Sequence, residues 1–107
     1  MKRGDLVIVS LPGDFGKPRP GLIIQAERFD ELPTATLLPL SGTLVEAPLI
    51  RVTVEPSESN GLRKTSQIMI DKAITVRRDK LGGPFGRLDD MSMLEVNRLI
   101  ASFLGFG

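Results

Sequence analysis

The chain has 107 residues, of which 41% are hydrophobic and 25% charged, with 14 Lys and Arg set against 13 Asp and Glu. That length suits one domain with a single modest core, and a net charge of +1 supplies no bulk field to draw the protein onto nucleic acid. Cysteine and histidine are both absent, which excludes disulfides and thiol catalysis, argues against a zinc site, and leaves acid–base work to carboxylates or other groups.

In chain order, Asp5 to Leu11 reads as a first strand. Its Leu6-Val7-Ile8-Val9 run is too continuous for a one-sided edge, so burial on both faces is expected. Pro12 to Gly16 is a loop by its turn residues. It leads into Lys17-Pro18-Arg19-Pro20, where two prolines hold Arg19 extended at the mouth of a second strand, Arg19 to Ala26. Hairpin pairing of the two strands is the simplest connection. A guanidinium held by stiff backbone at a sheet edge suits gripping a phosphate, because its planar fork stays charged and bonds two oxygens at once.

Glu27 to Pro33 reads as a loop, and Thr34 to Leu40 as a third strand in which Pro39 suggests an edge or a bulge. After the turn Ser41-Gly42-Thr43, a loose segment leads to an alternating fourth strand, Leu49 to Val54. Glu55 to Gly61 is the clearest loop, with Asn60-Gly61 tolerant of positive φ. Ser66 to Asp71 and Ala73 to Val76 read as two short strands, or one strand bent at Asp71-Lys72, and Gly82 to Gly86 as an irregular loop. The tail predicts a helix whose Met93, Val96, Leu99, Ile100 and Phe103 share one face. Asp89 is a candidate N-cap, with Ser92 and Glu95 as an alternative capping box and Gly105 as the stop. Short strands followed by one helix predict a mostly β fold, a small antiparallel barrel or curled sheet. No apolar run approaches the roughly 18 residues that cross a bilayer. Met1 to Asp5 lacks the apolar core of a signal peptide, so a cytoplasmic protein is expected.

Several of these segments, taken in order, resemble the MazF/PemK toxins of bacterial toxin–antitoxin pairs. They are Arg3-Gly4-Asp5 before the first strand, Arg19-Pro20 before the second, Ser41 after the third, Gly61-Leu62-Arg63-Lys64-Thr65-Ser66, and Gly86-Arg87-Leu88 ahead of the final helix. The resemblance implies an SH3-like β-barrel that pairs as a homodimer. It further implies a metal-free, cofactor-free endoribonuclease that cuts single-stranded RNA at short sequences and is neutralised by a cognate antitoxin, meeting operator DNA only as the toxin–antitoxin complex. On this resemblance Arg19 and Ser41 are the catalytic pair, and Asp71 matches an Asp of the late strand. Two departures stand out: the 12–17 loop is short and lacks His or Glu, and Lys72-Ala73-Ile74-Thr75 stands where many members read Gln-Ile-Arg-Thr.

The chemistry expected is attack of a ribose 2′-OH on its neighbouring phosphate, so the protein aligns the substrate and stabilises growing charge. Arg19 would bond the non-bridging oxygens and Ser41 the phosphate or ribose. A Ser41 hydroxyl that merely satisfies nearby backbone is the competing expectation. Asp71 and Asp14 are the candidate acid–base groups, and Lys17, Arg63 and Lys64 candidate contacts to flanking phosphates. Phe15 is a candidate stacking platform for a base. The alternatives are a gyrase poison resembling CcdB, acting through the apolar tail Phe103 to Gly107, and an SH3-like peptide-binding module. The absence of Tyr and Trp disfavours the latter.

Overall fold

The structure is a computed structural model that describes residues 1–11 and 17–106. Among them are seven strands: β1 (Asp5–Ser10), β2 (Pro18–Ile23), β3 (Thr34–Ser41), β4 (Arg51–Val54), β5 (Ser66–Met69), β6 (Ile74–Arg77) and β7 (Gly86–Arg87), followed by helix α1 (Asp90–Leu104). They form a curled antiparallel sheet in the order β4-β5-β3-β2-β1-β7, with β6 also on β3.

Strand β1 justifies its unbroken apolar run. Leu6 joins a core with Leu22, Leu38, Leu40, Ile68, Val96 and Leu99 on one face, while Val7 and Val9 join Ile23, Ala35 and Leu37 on the other. Ile8 departs from the expectation at 38% exposed. The β1–β2 hairpin pairs Leu6 with Leu22 and Val9 with Arg19.

Strand β3 is not an edge, contrary to what Pro39 suggests. It takes β2 along one side and both β6 and β5 along the other. Thr34 to Leu37 pair with β6, and Leu40 and Ser41 with β5. Pro39 falls between those two ladders, where a missing N–H interrupts neither. The turn Ile70–Lys72 carries the chain from β5 to β6, with Ile70 buried beneath it.

Strand β4 is shorter than its alternation predicts. Ile50 and Arg51 N–H groups both donate to the Ala47 carbonyl, so a turn around Pro48 absorbs the first residues and leaves Leu49 exposed. Strand β7 forms where only a loop is expected, because Asp5 and Leu6 offer it a non-local partner. The 55–61 loop is closed from inside by buried Asn60. Its Oδ1 accepts from the N–H groups of Ser57 (3.0 Å) and Leu62 (2.9 Å), and its Nδ2 donates to the Glu55 carbonyl at 2.9 Å.

Helix α1 starts and stops at the residues expected. Asp89 accepts from Ser92 N–H at 3.0 Å, and Gly105 ends it at φ +87°. Val96 and Leu99 are buried, with Met93 and Ile100 packed beside them. Phe103, expected on the same face, is half exposed because the last turn stands off the sheet across a pocket of about 200 Å³. Arg3 ties the helix to the residue that follows β2, its Nε donating to the Ile24 carbonyl (2.8 Å) and its Nη2 to Asn97 Oδ1 (2.6 Å). Burial lowers the Arg3 pKa.

The Asp89 cap carries a pH signature. Its hydrogen bonds with Ser92 hold the carboxyl below its ordinary value, so its contribution is present above the unfolded-state pKa and disappears as pH falls through the folded one. Asp89→Ala is expected to destabilise the fold by about 1 kcal/mol near neutrality. In urea melts at a series of pH values, the gap to wild type closes on the acid side.

Candidate active site

The register of β1, β2 and β3 sorts the candidate residues by face. Arg19 lies opposite Val9, and Gly21 opposite Pro39, so Arg19, Gly21, Pro39 and Ser41 point one way. Pro20, Leu22, Leu38 and Leu40 point the other. On its β3 side, β2 is paired only from Gly21 onward. Among the described residues Pro18 and Pro20 thus sit where a strand tolerates a missing N–H, and Arg19 lies in the part of β2 that only β1 pairs.

On that face a cleft of about 410 Å³ is lined by Leu11, Arg19, Pro39, Ser41, Met69, Lys72 and Ile74. Arg19 and Ser41 therefore share one cleft, brought there from adjacent strands. Leu11, Pro39, Met69 and Ile74 give it an apolar wall, which strengthens whatever electrostatic contact forms inside. The Ser41 hydroxyl also does the local work foreseen for it, accepting from Thr43 N–H at 3.1 Å. Its own donation to the Thr43 carbonyl is long, at 3.4 Å, so its proton can be exchanged for a better acceptor.

The remaining candidates are scattered. Asp71 does not line the cleft. It faces a separate pocket with Ile24, Leu38, Ile70, Ala73, Ile100, Phe103 and Leu104, and bonds Lys72. Arg63 and Lys64 line a third cleft, of about 400 Å³, with Ile8, Pro20, Leu40, Leu62 and Phe85 on the opposite face of the sheet. Lys17 is exposed just ahead of β2. Asp14 and Phe15 lie outside the described residues. Lys72 was missed by sequence reasoning. It supplies a cation to the cleft of Arg19 two residues before Ile74, which stands in place of the arginine of Gln-Ile-Arg-Thr, and a positive charge directly after Asp71 was the only signal for it.

The model of the PemK-like, MazF-like toxins of type II toxin–antitoxin systems matches residues 2–104. The chain belongs to this family. A probable endoribonuclease MazF of Mycolicibacterium smegmatis is 42% identical over 106 residues, covering 98% of this chain and 97% of that protein. The fold is that of solved relatives. A mycobacterial endoribonuclease in complex with its cognate antitoxin superposes with a TM-score of 0.85 at 23% identity, covering 100% of this chain and 97% of that one. The Mycobacterium tuberculosis toxin MazF-mt6 gives 0.82 at 24% identity, covering 96% and 98%. The MazF/PemK resemblance thus holds, rather than the CcdB-like or peptide-binding alternatives.

The segments that carry the resemblance prove to be largely structural. Gly4 takes φ +95°, and Asp5 accepts from Lys2 N–H (2.7 Å) and Arg87 Nη1 (2.8 Å), joining the first motif to the last. Leu62 and Ser66 are buried, and the Lys64 stem lies across Gly42. Only Arg19 and Ser41 among these motif residues line the cleft.

Proposed function

We propose that this MazF-like endoribonuclease toxin cleaves single-stranded RNA at short sequences without a metal ion. The observation that carries the reading is the shared cleft of Arg19 and Ser41. A scissile phosphodiester lies against both. Its 2′-OH attacks phosphorus, the bond to the 5′-oxygen breaks, and the products end in a 2′,3′-cyclic phosphate and a 5′-OH. The Arg19 fork bonds the non-bridging oxygens as their charge grows, and Ser41 donates to the same phosphate or its ribose. Among the described residues no carboxylate lines the cleft, and over the whole reaction the proton lost by the 2′-OH is matched by the one the leaving 5′-oxygen takes up.

A cognate antitoxin, acidic and partly disordered when alone, covers the cleft. The fold likeness to an endoribonuclease solved with its antitoxin supports this. The toxin acts as a homodimer in this proposal. Exposed Met91, Leu94, Phe103, Leu104 and Phe106, on and just past α1, are the apolar surface such pairing would cover. Sedimentation equilibrium giving a monomer at micromolar concentration would remove the dimer from the proposal.

The deciding experiment incubates purified protein with a pool of single-stranded RNA of varied sequence in EDTA. Cleavage at recurrent short sequences, leaving cyclic phosphate and 5′-OH ends, is expected. Intact RNA, or cutting that requires magnesium, overturns the proposal.

A further inference from the structure

Neighbours in sequence, Asp71 and Lys72 sit on the turn between β5 and β6 and serve two different cavities. Ile70, just before them, is buried in the core and pins the turn to the sheet. From there Asp71 reaches into the apolar pocket under the last turn of α1, among Ile100, Phe103 and Leu104. Lys72 lies in the cleft with Arg19 and Ser41. The two side chains meet, with Lys72 Nζ 3.1 Å from Asp71 Oδ2, while Asp71 Oδ1 is buried and accepts no hydrogen bond among the described residues. A carboxylate so placed depends on that cation, and the cation is held in place by the carboxylate.

We infer that Lys72 is a second phosphate-binding cation of the cleft and that Asp71 is its positioning residue rather than the general base. This rests on the endoribonuclease reading above. An ammonium has three donors, and the bond to Asp71 uses one. The other two remain for the scissile phosphate or the next one along. The side chain is 56% exposed, so a substrate can reach it, yet its anchor reduces the rotamer freedom that a lone surface lysine would lose on binding. Attack of the 2′-oxygen turns a singly charged phosphodiester into a doubly charged phosphorane. A guanidinium and an ammonium flanking the phosphate therefore bind the transition state more strongly than the ground state. Asp71 cannot serve this site as a base without releasing Lys72, and it does not line the cleft.

The test uses a short RNA chosen from the pool cut by the wild-type protein, and the same RNA with a 2′-deoxyribose at the cut site. Single-turnover cleavage is read on the first, and binding against KCl concentration on the second. Lys72→Ala should slow cleavage by about 10²-fold and lower the log–log salt slope by about 0.7, whereas Lys72→Arg keeps the slope. Asp71→Asn should slow cleavage without weakening binding, since it removes an anion, and should add nothing in the Lys72→Ala background. A Lys72→Ala protein with wild-type cleavage and slope overturns the inference alone. So does an Asp71→Asn effect that persists without Lys72, which would make Asp71 act on the substrate directly. Wild-type protein that cuts no RNA overturns the endoribonuclease reading instead, and the salt slope read on an arbitrary single-stranded DNA then still decides whether Lys72 binds phosphate.

Discussion

Arg19→Ala is expected to slow RNA cleavage by about 10²–10³-fold, the usual cost of one preorganised donor to developing charge. The fold should survive the change. Arg19 belongs to neither core cluster, and the β1–β2 ladder at that position is made by backbone. Arg19→Lys should recover little, because a point charge on a flexible stem does not reproduce a planar fork that bonds two oxygens. Turnover of a defined RNA, measured beside far-ultraviolet circular dichroism and a thermal melt, separates the outcomes. A folded Arg19→Ala protein that cleaves at the wild-type rate would remove Arg19 from the mechanism.

Among substitutions away from the cleft, Gly86→Ala is expected to be one of the most damaging. A Cβ at Gly86 would overlap the Asn60 carbonyl, so backbone would have to move. That carbonyl belongs to a residue held on three sides, with hydrogen bonds to Ser57, Leu62 and Glu55. Arg87 N–H also donates to the Ser59 carbonyl at 2.9 Å, which locks β7 against the same loop. The loop has nowhere to go, and a loss of about 3 kcal/mol or more follows. Urea denaturation measures it. A Gly86→Ala midpoint within error of wild type would show that the loop and β7 separate easily. Glycine in the Gly-Arg-Leu motif is thus a matter of backbone approach.

Where local pattern decides structure, the sequence was legible. The aliphatic runs of β1, β2 and β3, and the 3.6-residue spacing of α1 with its Asp89 and Gly105 ends, need no distant partner to be recognised. Three features were hidden, the first two because tertiary contacts create them and the third because a local turn overrides the alternation. Strand β7 is two residues long and exists through Asp5 and Leu6. Pro39 is tolerated inside β3 because the neighbouring strand changes there, and Leu49 and Ile50 yield to the Pro48 turn. In the site, Arg19 and Ser41 were found through motifs that place them at strand ends. Strand parity also separates them from the face that carries Arg63 and Lys64, since Leu40 and Ser41 must point oppositely. Lys72 left no such trace, for a three-residue turn has no period that could assign its side chains to a cavity.

The cleft draws Arg19, Ser41 and Lys72 from three separate elements, and β3 is what gathers them. β2 folds against one side of it, while the segment bearing Lys72 is fixed only when residues 74–77 have closed on 34–37. A nascent chain whose second half is still inside the ribosome therefore has no complete grip on a phosphodiester. On the proposed activity, an enzyme translated from the very kind of molecule it destroys assembles its full set of phosphate contacts only after residue 77 has left the ribosome.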